Sequence, residues 1–283
     1  MTGTLYICAT PIGNLEDISL RVLRVLKEAD LIAAEDTRTS GRLLSHYDIH
    51  TPLTSYHKYN EETKGRELVE KLLSGTNIAL ITDAGTPAIS DPGEKLVRLC
   101  GENSIPVTSL PGANACITAL TLSGRSTRRF CFEGFLPADK KERGEVLSEL
   151  KNETRTIVLY EAPHRLKKTL ELLADTLGPE RGITLCRELT KKFETVTKTV
   201  LSEATAGTPA EEVRGEYVLV IDGRPRSEII SEKAAAWESM SLEDHVAYYE
   251  AQGLNRKEAM KRTADDRGIS RRDVYQALLS GTS

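Results

Sequence analysis

An apolar run of four residues, Ile78 to Ile81, empties without a break into Thr82-Asp-Ala-Gly-Thr-Pro-Ala-Ile-Ser-Asp-Pro-Gly93. Such a run reads as a buried strand, and the small, turn-forming residues after it leave backbone N–H and C=O groups open at the strand's carboxyl end, where α/β proteins bind ligands. The pattern recurs three times. Leu5 to Thr10 ends in Pro11-Ile-Gly-Asn14, Leu31 to Ala34 in Glu35-Asp-Thr-Arg38, and Val107 to Leu110 in Pro111-Gly-Ala-Asn114. Each is followed by helical apolar spacing, so residues 4–122 predict a parallel sheet with four loops along one edge.

The 283 residues suffice for two compact α/β domains and an appendage. The predicted boundaries give an N-terminal domain over 1–124, a second α/β domain over 125–223 and a linker with a helical module over 224–283. Polar Ser123-Gly-Arg-Ser-Thr127 marks the first boundary and Arg224-Pro-Arg-Ser227 the second. Within the second domain, Phe130 to Phe135, Thr156 to Tyr160, Ile183 to Cys186, Lys192 to Leu201 and Glu216 to Ile221 read as strands of a mixed sheet, with a helix over His164 to Leu177. In the tail, Ser241-Leu-Glu-Asp244 and Ser270-Arg-Arg-Asp273 fit the capping box at a helix start, and Gly253 and Gly268 fit C-terminal caps.

The five cysteines are scattered, with no CxxC pair, and read as buried reduced thiols. No apolar run reaches eighteen residues and no secretory leader opens the chain, so a cytoplasmic protein without membrane contact is expected. His46 and His50 are four apart but lack a third ligand, and no metal is expected. The net charge of −4 does not rule out a nucleic-acid partner, because phosphates need only a local positive surface, and basic residues cluster at 164–168 and 187–192.

Neither GxGxxG nor GxxxxGK[ST] occurs, which argues against dinucleotide and triphosphate sites. The fixed charges on the Asp83 to Ser90 floor are acidic, which suits a nucleoside carrying an amino-acid tail and no phosphate. Three polar segments follow predicted strands: Glu35-Asp-Thr-Arg38, Tyr160-Glu-Ala-Pro-His-Arg165 and Arg187-Glu-Leu-Thr-Lys-Lys192. They are either substrate-facing groups or an ion-pair network that holds a cleft.

The ordered series YICATPIGNLEDIS, AAEDTRTSGRLL, ALITDAGTPAISDPG, SLPGANA, FEGFLP, VLYEAPHRL, CRELTKKFE and GEYVLVIDG resembles the ribosomal RNA small subunit methyltransferase I family of the tetrapyrrole methylase superfamily. The resemblance implies a two-domain tetrapyrrole-methylase-like fold, S-adenosylmethionine as methyl donor, and the ribose 2′-hydroxyl of a decoding-centre cytidine in small-subunit rRNA as acceptor. It also implies a homodimer acting on rRNA or the assembled small subunit. Carried over by position, Pro11, Asp83, Ala84, Gly85, Ile89, Ser90, Gly112 and Ala113 form the donor floor. Tyr160, Glu161, Gly215 and Glu216 approach from the second domain.

Asn14, His164, Arg165 and Arg187 are the residues expected to face RNA. For the chemistry, Asp36 or Glu161 is the candidate base, and Arg38 or Lys191 the candidate cation beside the ribose oxygen. The first loop, TPIGN, departs from the glycine-rich start of tetrapyrrole-modifying members, which favours RNA over a macrocycle. A methyltransferase of the same fold acting on a tetrapyrrole or a protein side chain is the neighbouring alternative. A non-enzymatic nucleic-acid-binding regulator, reading through a helix-turn-helix-like tail that presents Arg271 and Arg272, is the other.

Overall fold

The computed structural model describes residues 1–209 and 214–280. They fall into two compact units, one within residues 1–147 and 156–222 and the other within 148–155 and 223–280. The first unit opens with alternating strands and helices: β1 (Leu5–Cys8), α1 (Leu20–Glu28), β2 (Leu31–Ala34), α2 (Thr37–His46), β3 (Leu53–Ser55), α3 (Glu61–Leu73), β4 (Ile78–Ile81), α4 (Glu94–Glu102), β5 (Val107–Leu110) and α5 (Ala115–Ser123). The strands pair in the order β3-β2-β4-β1-β5, all parallel. Their carboxyl ends therefore share one edge, as the repeated strand-loop-helix pattern predicts.

The central strands are apolar because helices cover both faces. On one face Val22, Val25 and Leu26 of α1 pack with Ile32, Ala79 and Ile81; on the other Leu68 and Leu72 of α3 and Leu96 of α4 pack with Leu5, Ile7 and Leu80. Side chains cap the helices that start at this edge. Ser19 Oγ accepts the Val22 N–H at 3.1 Å, Asp36 Oδ1 the Arg38 N–H at 2.8 Å, and Asn114 Oδ1 the Ile117 N–H at 3.1 Å.

The same unit continues through β6 (Phe130–Phe135), α6 (Lys140–Leu150, whose last turn enters the other unit), β7 (Thr156–Glu161), α7 (Leu166–Leu177), β8 (Gly182–Arg187), β9 (Thr195–Val200), α8 (Leu201–Gly207) and β10 (Tyr217–Ile221). This sheet runs β6-β7-β10-β8-β9, with β6 and β7 parallel and the other pairs antiparallel. The fold is thus α/β, with a parallel sheet, a mixed sheet and C-terminal helices.

Helix α5 follows the last parallel strand yet packs on the mixed sheet. Its Cys116, Ala119 and Leu120 share a core with Val158, Cys186, Val218 and Val220. The segment 123–127, expected as a domain boundary, accordingly lies inside one compact unit. Both sheets belong to that unit, joined through α5.

In the other unit, α9 (Arg226–Ala235), α10 (Leu242–Ala251), α11 (Arg256–Arg267) and α12 (Arg271–Ser280) follow the linker. Val246, Ala259, Met260, Ala264 and Val274 form its core. Both capping boxes are present: Ser241 Oγ accepts the Asp244 N–H at 3.0 Å, while Ser270 and Asp273 exchange bonds at 3.1 and 3.0 Å. Gly268 caps α11 in the left-handed conformation. Gly253 lies one residue past Gln252, which ends α10.

Several elements depart from their predicted extents. The apolar spacing of Leu68 to Leu73 predicts a helix there, but α3 begins seven residues earlier, at Glu61, because its first two turns are charged and only its later residues carry the apolar stripe. Strand β3 was not expected; it has three half-buried residues. The strand expected over Lys192 to Leu201 begins at Thr195, and Leu201 opens α8. All five cysteines are buried, and burial pushes the Cys8 thiol up to about 12. Among the described residues no helix is long and apolar enough to cross a membrane.

The seat of α5 gives a direct expectation for stability. Leu120 is 3% exposed at the centre of the shared core. Leu120→Ala is expected to lower the unfolding free energy by about 2–5 kcal/mol, the range for truncating a buried leucine, as measured by chemical denaturation. A loss near zero would mean that α5 does not hold the mixed sheet.

Candidate functional site

Two loops make the floor of the main cavity. The first follows β1, and its Thr10 pairs with Gly85 beyond β4 through reciprocal backbone bonds, Thr10 N to Gly85 O at 2.9 Å and Gly85 N to Thr10 O at 3.0 Å. Gly85 has φ +83°, and a Cβ there would come within 3.3 Å of Ile12 Cγ2. Farther along, Ala88 and Ser90 stand in the left-handed region at φ 66° and 65°. Such non-glycine residues cost about 1–3 kcal/mol each, so their neighbours must hold them there. Thr86 Oγ1 donates to Ala113 O at 3.0 Å and ties this loop to the one after β5.

The cavity above this floor measures about 470 Å³. Ile12, Ala84, Gly85, Ile89 and Ser90 line it from the parallel-sheet side, and Asn114 and Ala115 from the start of α5. Across from them stand Tyr160, Glu161, Pro163 and His164 after β7, Leu189 after β8, and Glu216 to Val218 at β10. Among the described residues, the carboxylates Asp91, Glu161 and Glu216 are its only side chains with a fixed charge, and no lysine or arginine lines it. It is a mostly apolar seat with an acidic rim.

Tyr160 joins the two walls. Its Oη accepts the Cys116 N–H at 3.1 Å, satisfying a donor in the first turn of α5, and its ring meets Phe132 and Phe135 edge-on at 4.9 and 5.6 Å between centroids. Burial pushes its hydroxyl up to about 12, so it stays protonated. Asp91 was not expected from the sequence. Burial first, and then the Glu35 carboxylate, push it up to about 6. Its only sequence signal was an acid inside the turn-rich Ser90-Asp91-Pro92-Gly93.

Of the expected donor residues, Ala84, Gly85, Ile89, Ser90, Tyr160 and Glu216 line this cavity. Pro11 and Asp83 face another cavity on the far side of the same strand tips. Asp83 Oδ1 accepts the Asp36 N–H at 3.2 Å; burial, against that bond, and the carboxylates of Glu35 and Asp36 raise it. Gly112 lies against Ala9, Ala113 offers its carbonyl to Thr86, and Gly215, at φ +91°, lies against the Glu188 side chain.

The expected catalytic groups are not brought together as a free base beside a free cation. Asp36 caps α2, and the Arg38 N–H first among its partners holds its carboxyl below the usual range. Arg38 points to solvent, its side chain 87% exposed. Glu161 lines the cavity but is 2% exposed and already engaged: Oε1 accepts the Ala162 N–H at 2.8 Å and faces Arg165 Nε at 3.6 Å, while Oε2 accepts the Thr169 hydroxyl. Lys191 is clamped between Glu188 at 3.0 Å and Glu216 at 2.8 Å. Burial works against its charge, but the two carboxylates prevail and raise its pKa.

Among the expected RNA-facing residues, only His164 reaches the main cavity. Arg165 donates to Leu136 O at 2.9 Å, and Asn14 caps the turn at Glu16 at 3.1 Å. Arg187 donates to Arg214 O at 2.9 Å and lines a separate cavity of about 360 Å³ on the other side of Tyr217. Arg165, Arg187 and Lys191, expected to face the substrate, are therefore not part of this cavity, because their side chains bond to carboxylates and carbonyls nearby. The first loop closes against the Leu189–Lys191 turn instead. A Cβ at Gly13 would lie 2.4 Å from Lys191 Cγ and 2.9 Å from Leu189 O, an approach only glycine permits. Among the described residues no three His, Cys, Asp or Glu side chains gather as metal ligands.

Comparison with known proteins places this geometry. A sequence model of the Tetrapyrrole (Corrin/Porphyrin) Methylases matches residues 4–205. Ribosomal RNA small subunit methyltransferase I of Halalkalibacterium halodurans is 48% identical over 273 residues, covering 96% of this chain and 93% of its own. The Bacillus subtilis protein of the same name is 46% identical over 275 residues, covering 97% and 94%. In fold, diphthine synthase superposes with a TM-score of 0.61 at 13% identity, covering 78% of this chain and 90% of its own. The Thermus thermophilus uroporphyrin-III C-methyl transferase complexed with S-adenyl homocysteine gives 0.57 at 19%, covering 78% and 97%. This chain belongs to the tetrapyrrole methylase family and, within it, to the ribosomal RNA small subunit methyltransferase I family.

Proposed function

We propose that this protein transfers a methyl group from S-adenosylmethionine to the ribose 2′-oxygen of a decoding-centre cytidine in small-subunit rRNA. The observation that carries the donor assignment is the charge of the main cavity: apolar walls, three carboxylates and no lysine or arginine among the described residues. A phosphorylated ligand would find no cation in that lining, whereas a nucleoside bearing sulfonium and ammonium charges meets Asp91, the one of the three carboxylates in no ion pair among the described residues. The bare backbone at Gly85 leaves the room that a Cβ would take. The RNA acceptor is supported by near-full-length similarity to the two relatives named for that substrate.

When bound, S-adenosylmethionine supplies a methyl group already activated by the positive sulfur beside it. The protein's task is then to hold the ribose oxygen in line and keep water out. Ile12, Ile89, Leu189 and Val218 exclude water, and Asp91, about 6, offers a charge to the donor that strengthens through neutral pH. Asp36, Glu161 and Lys191 act here as positioning groups, since each is committed to a cap, to buried donors or to a carboxylate clamp. Arg38, solvent-exposed beside Asp36, is left for the RNA backbone.

A homodimer fits one exposed surface of this unit. Val107, Thr108 and Ser109 of the sheet-edge strand β5 are exposed, and so are Ile117 and Leu122 of α5. An uncovered strand edge beside apolar side chains is what a second copy would bury. A cytoplasmic site of action follows from the substrate, and the helical tail with Arg271 and Arg272 is a further RNA contact in this reading.

Labelled S-adenosylmethionine incubated with small subunits that lack the modification should mark one cytidine sugar, located by mapping the 2′-O-methyl group. Label confined to protein or to a tetrapyrrole would contradict the assignment. For the donor seat, Gly85→Val should abolish donor binding by calorimetry, and unchanged affinity would place the donor elsewhere. The pH dependence has a definite sign. Asp91 is neutral below about 6 and negative above it, so donor affinity should rise between pH 5 and 7.5. Asp91→Asn should flatten that rise and weaken binding at pH 7.5 by about tenfold, the worth of one charge-assisted contact. A rise that persists in the variant would assign it to another group.

A further inference from the structure

A cavity of about 440 Å³ lies on the opposite side of the strand tips that floor the main cavity. The chain alternates between the two. Ile12 faces the main cavity while Pro11 and Gly13 face this one, and Ala84 and Gly85 face the main cavity while Thr82 and Asp83 face this one. Its outer wall is α2, and Tyr47 just past that helix donates its hydroxyl to Leu15 O, pinning the first loop across the cavity's end.

Two observations point to a ligand. Ser40 lines the cavity and is 2% exposed, yet its Oγ has no hydrogen-bond partner among the described residues. Several other helix hydroxyls fall back on the preceding turn, as Thr118 Oγ1 does on Asn114 O and Thr176 Oγ1 on Leu172 O, both at 2.8 Å; Thr263 Oγ1 in α11 shares the lack of a partner with Ser40 but lines none of the cavities described above. Leaving a buried hydroxyl unmade is costly, so a group that completes it is expected. Second, Arg42, two residues further along α2, lines the same cavity and is in no ion pair among the described residues, unlike Arg165 and Lys191. Its planar fork suits a phosphate.

We propose that this cavity seats a ribose-phosphate unit of the RNA strand adjacent to the methylated nucleotide, with the sugar hydroxyl on Ser40 Oγ and the phosphate on Arg42. The inference rests on the functional reading above and names the part of the substrate that this side of the floor holds. The exposed ring of His46 and the side chains of Pro11 and Leu43 offer the flat, apolar contacts on which sugars and bases of single-stranded RNA rest. A strand bound here runs past the same Pro11–Gly13 loop that closes the donor side. The register of RNA against donor is then set by one loop.

The test measures methyl transfer to unmodified small subunits, and calorimetric binding of S-adenosylhomocysteine, for the full-length wild type and for Arg42→Ala, Arg42→Lys and Ser40→Ala. Arg42 is exposed on the helix surface, so its variants are expected to fold, and thermal melting checks Ser40→Ala. Arg42→Ala should raise KM for the subunit by about tenfold with kcat within about twofold and cofactor affinity unchanged. It should also reduce the slope of log KM against log salt concentration by about 0.7, the signature of one lost contact to a single strand. Arg42→Lys, which keeps the charge and loses the fork, should recover the salt slope and only part of the KM loss.

A KM and salt slope in Arg42→Ala equal to wild type overturns the proposal while leaving the functional reading intact. A loss of S-adenosylhomocysteine affinity in Arg42→Ala or in folded Ser40→Ala assigns the cavity to the donor and overturns it also. Wild-type protein that methylates no subunit overturns the functional reading, and the inference with it.

Discussion

The placement of α5 is the constraint on which the site depends. In a parallel sheet the helix after the last strand ordinarily returns to cover its own sheet. Here α5 packs on the mixed sheet, and Tyr160 of that sheet accepts a hydrogen bond from its first turn. The strand tips of one sheet and the β7 and β10 loops of the other are thereby held at fixed separation. A cavity of hundreds of cubic ångströms survives between them because the helix carries the load that side chains filling the gap would otherwise carry.

Charge and backbone then divide the work. The first loop and the β4 loop are locked together at Thr10 and Gly85, which supports the unfavourable conformations of Ala88 and Ser90. Asp91, Glu161 and Glu216 line the donor side, where a cation is to be held, while Arg42 lines the other beside Asp83. Of the basic side chains, Arg165, Arg187 and Lys191 are bonded to carboxylates or carbonyls, Arg38 lies 3.5 Å from Asp36, and Arg42 is in no ion pair among the described residues. Such a division separates recognition of a positively charged donor from recognition of a polyanionic acceptor, which in one undivided cleft would compete for the same field.

Much of this was legible in the residues. The four parallel strands, their shared edge and a ligand floor after β4 follow from short apolar runs ending in small turn-forming residues, a local signal, whereas the individual floor residues came from the family resemblance, and of those Pro11 and Asp83 face the other cavity. The destination of α5 did not follow, since an apolar helix of small residues says that it is buried and not against what. For the same reason the boundary expected at 123–127 lies within a compact unit. Arg187 and Lys191, which follow a buried strand, were read either as facing substrate or as part of an ion-pair network holding the cleft, and partners distant in sequence, Arg214 and Glu216, claim them. Asp91 and Ser40 escaped notice because what sets them apart is burial: one carboxyl pushed towards neutrality, one hydroxyl left without a partner.

The central claim is that the space between the β4 loop and the β7–β10 wall is the donor seat. A crystal structure of the complex with S-adenosylhomocysteine tests it most directly. The account places the adenosine and amino-acid portions against Gly85, Ser90, Tyr160 and Glu216, with the backbone pair between Thr10 and Gly85 intact. Density for the ligand on the Ser40–Arg42 side of the strand tips, or anywhere outside the acidic cavity, would contradict it.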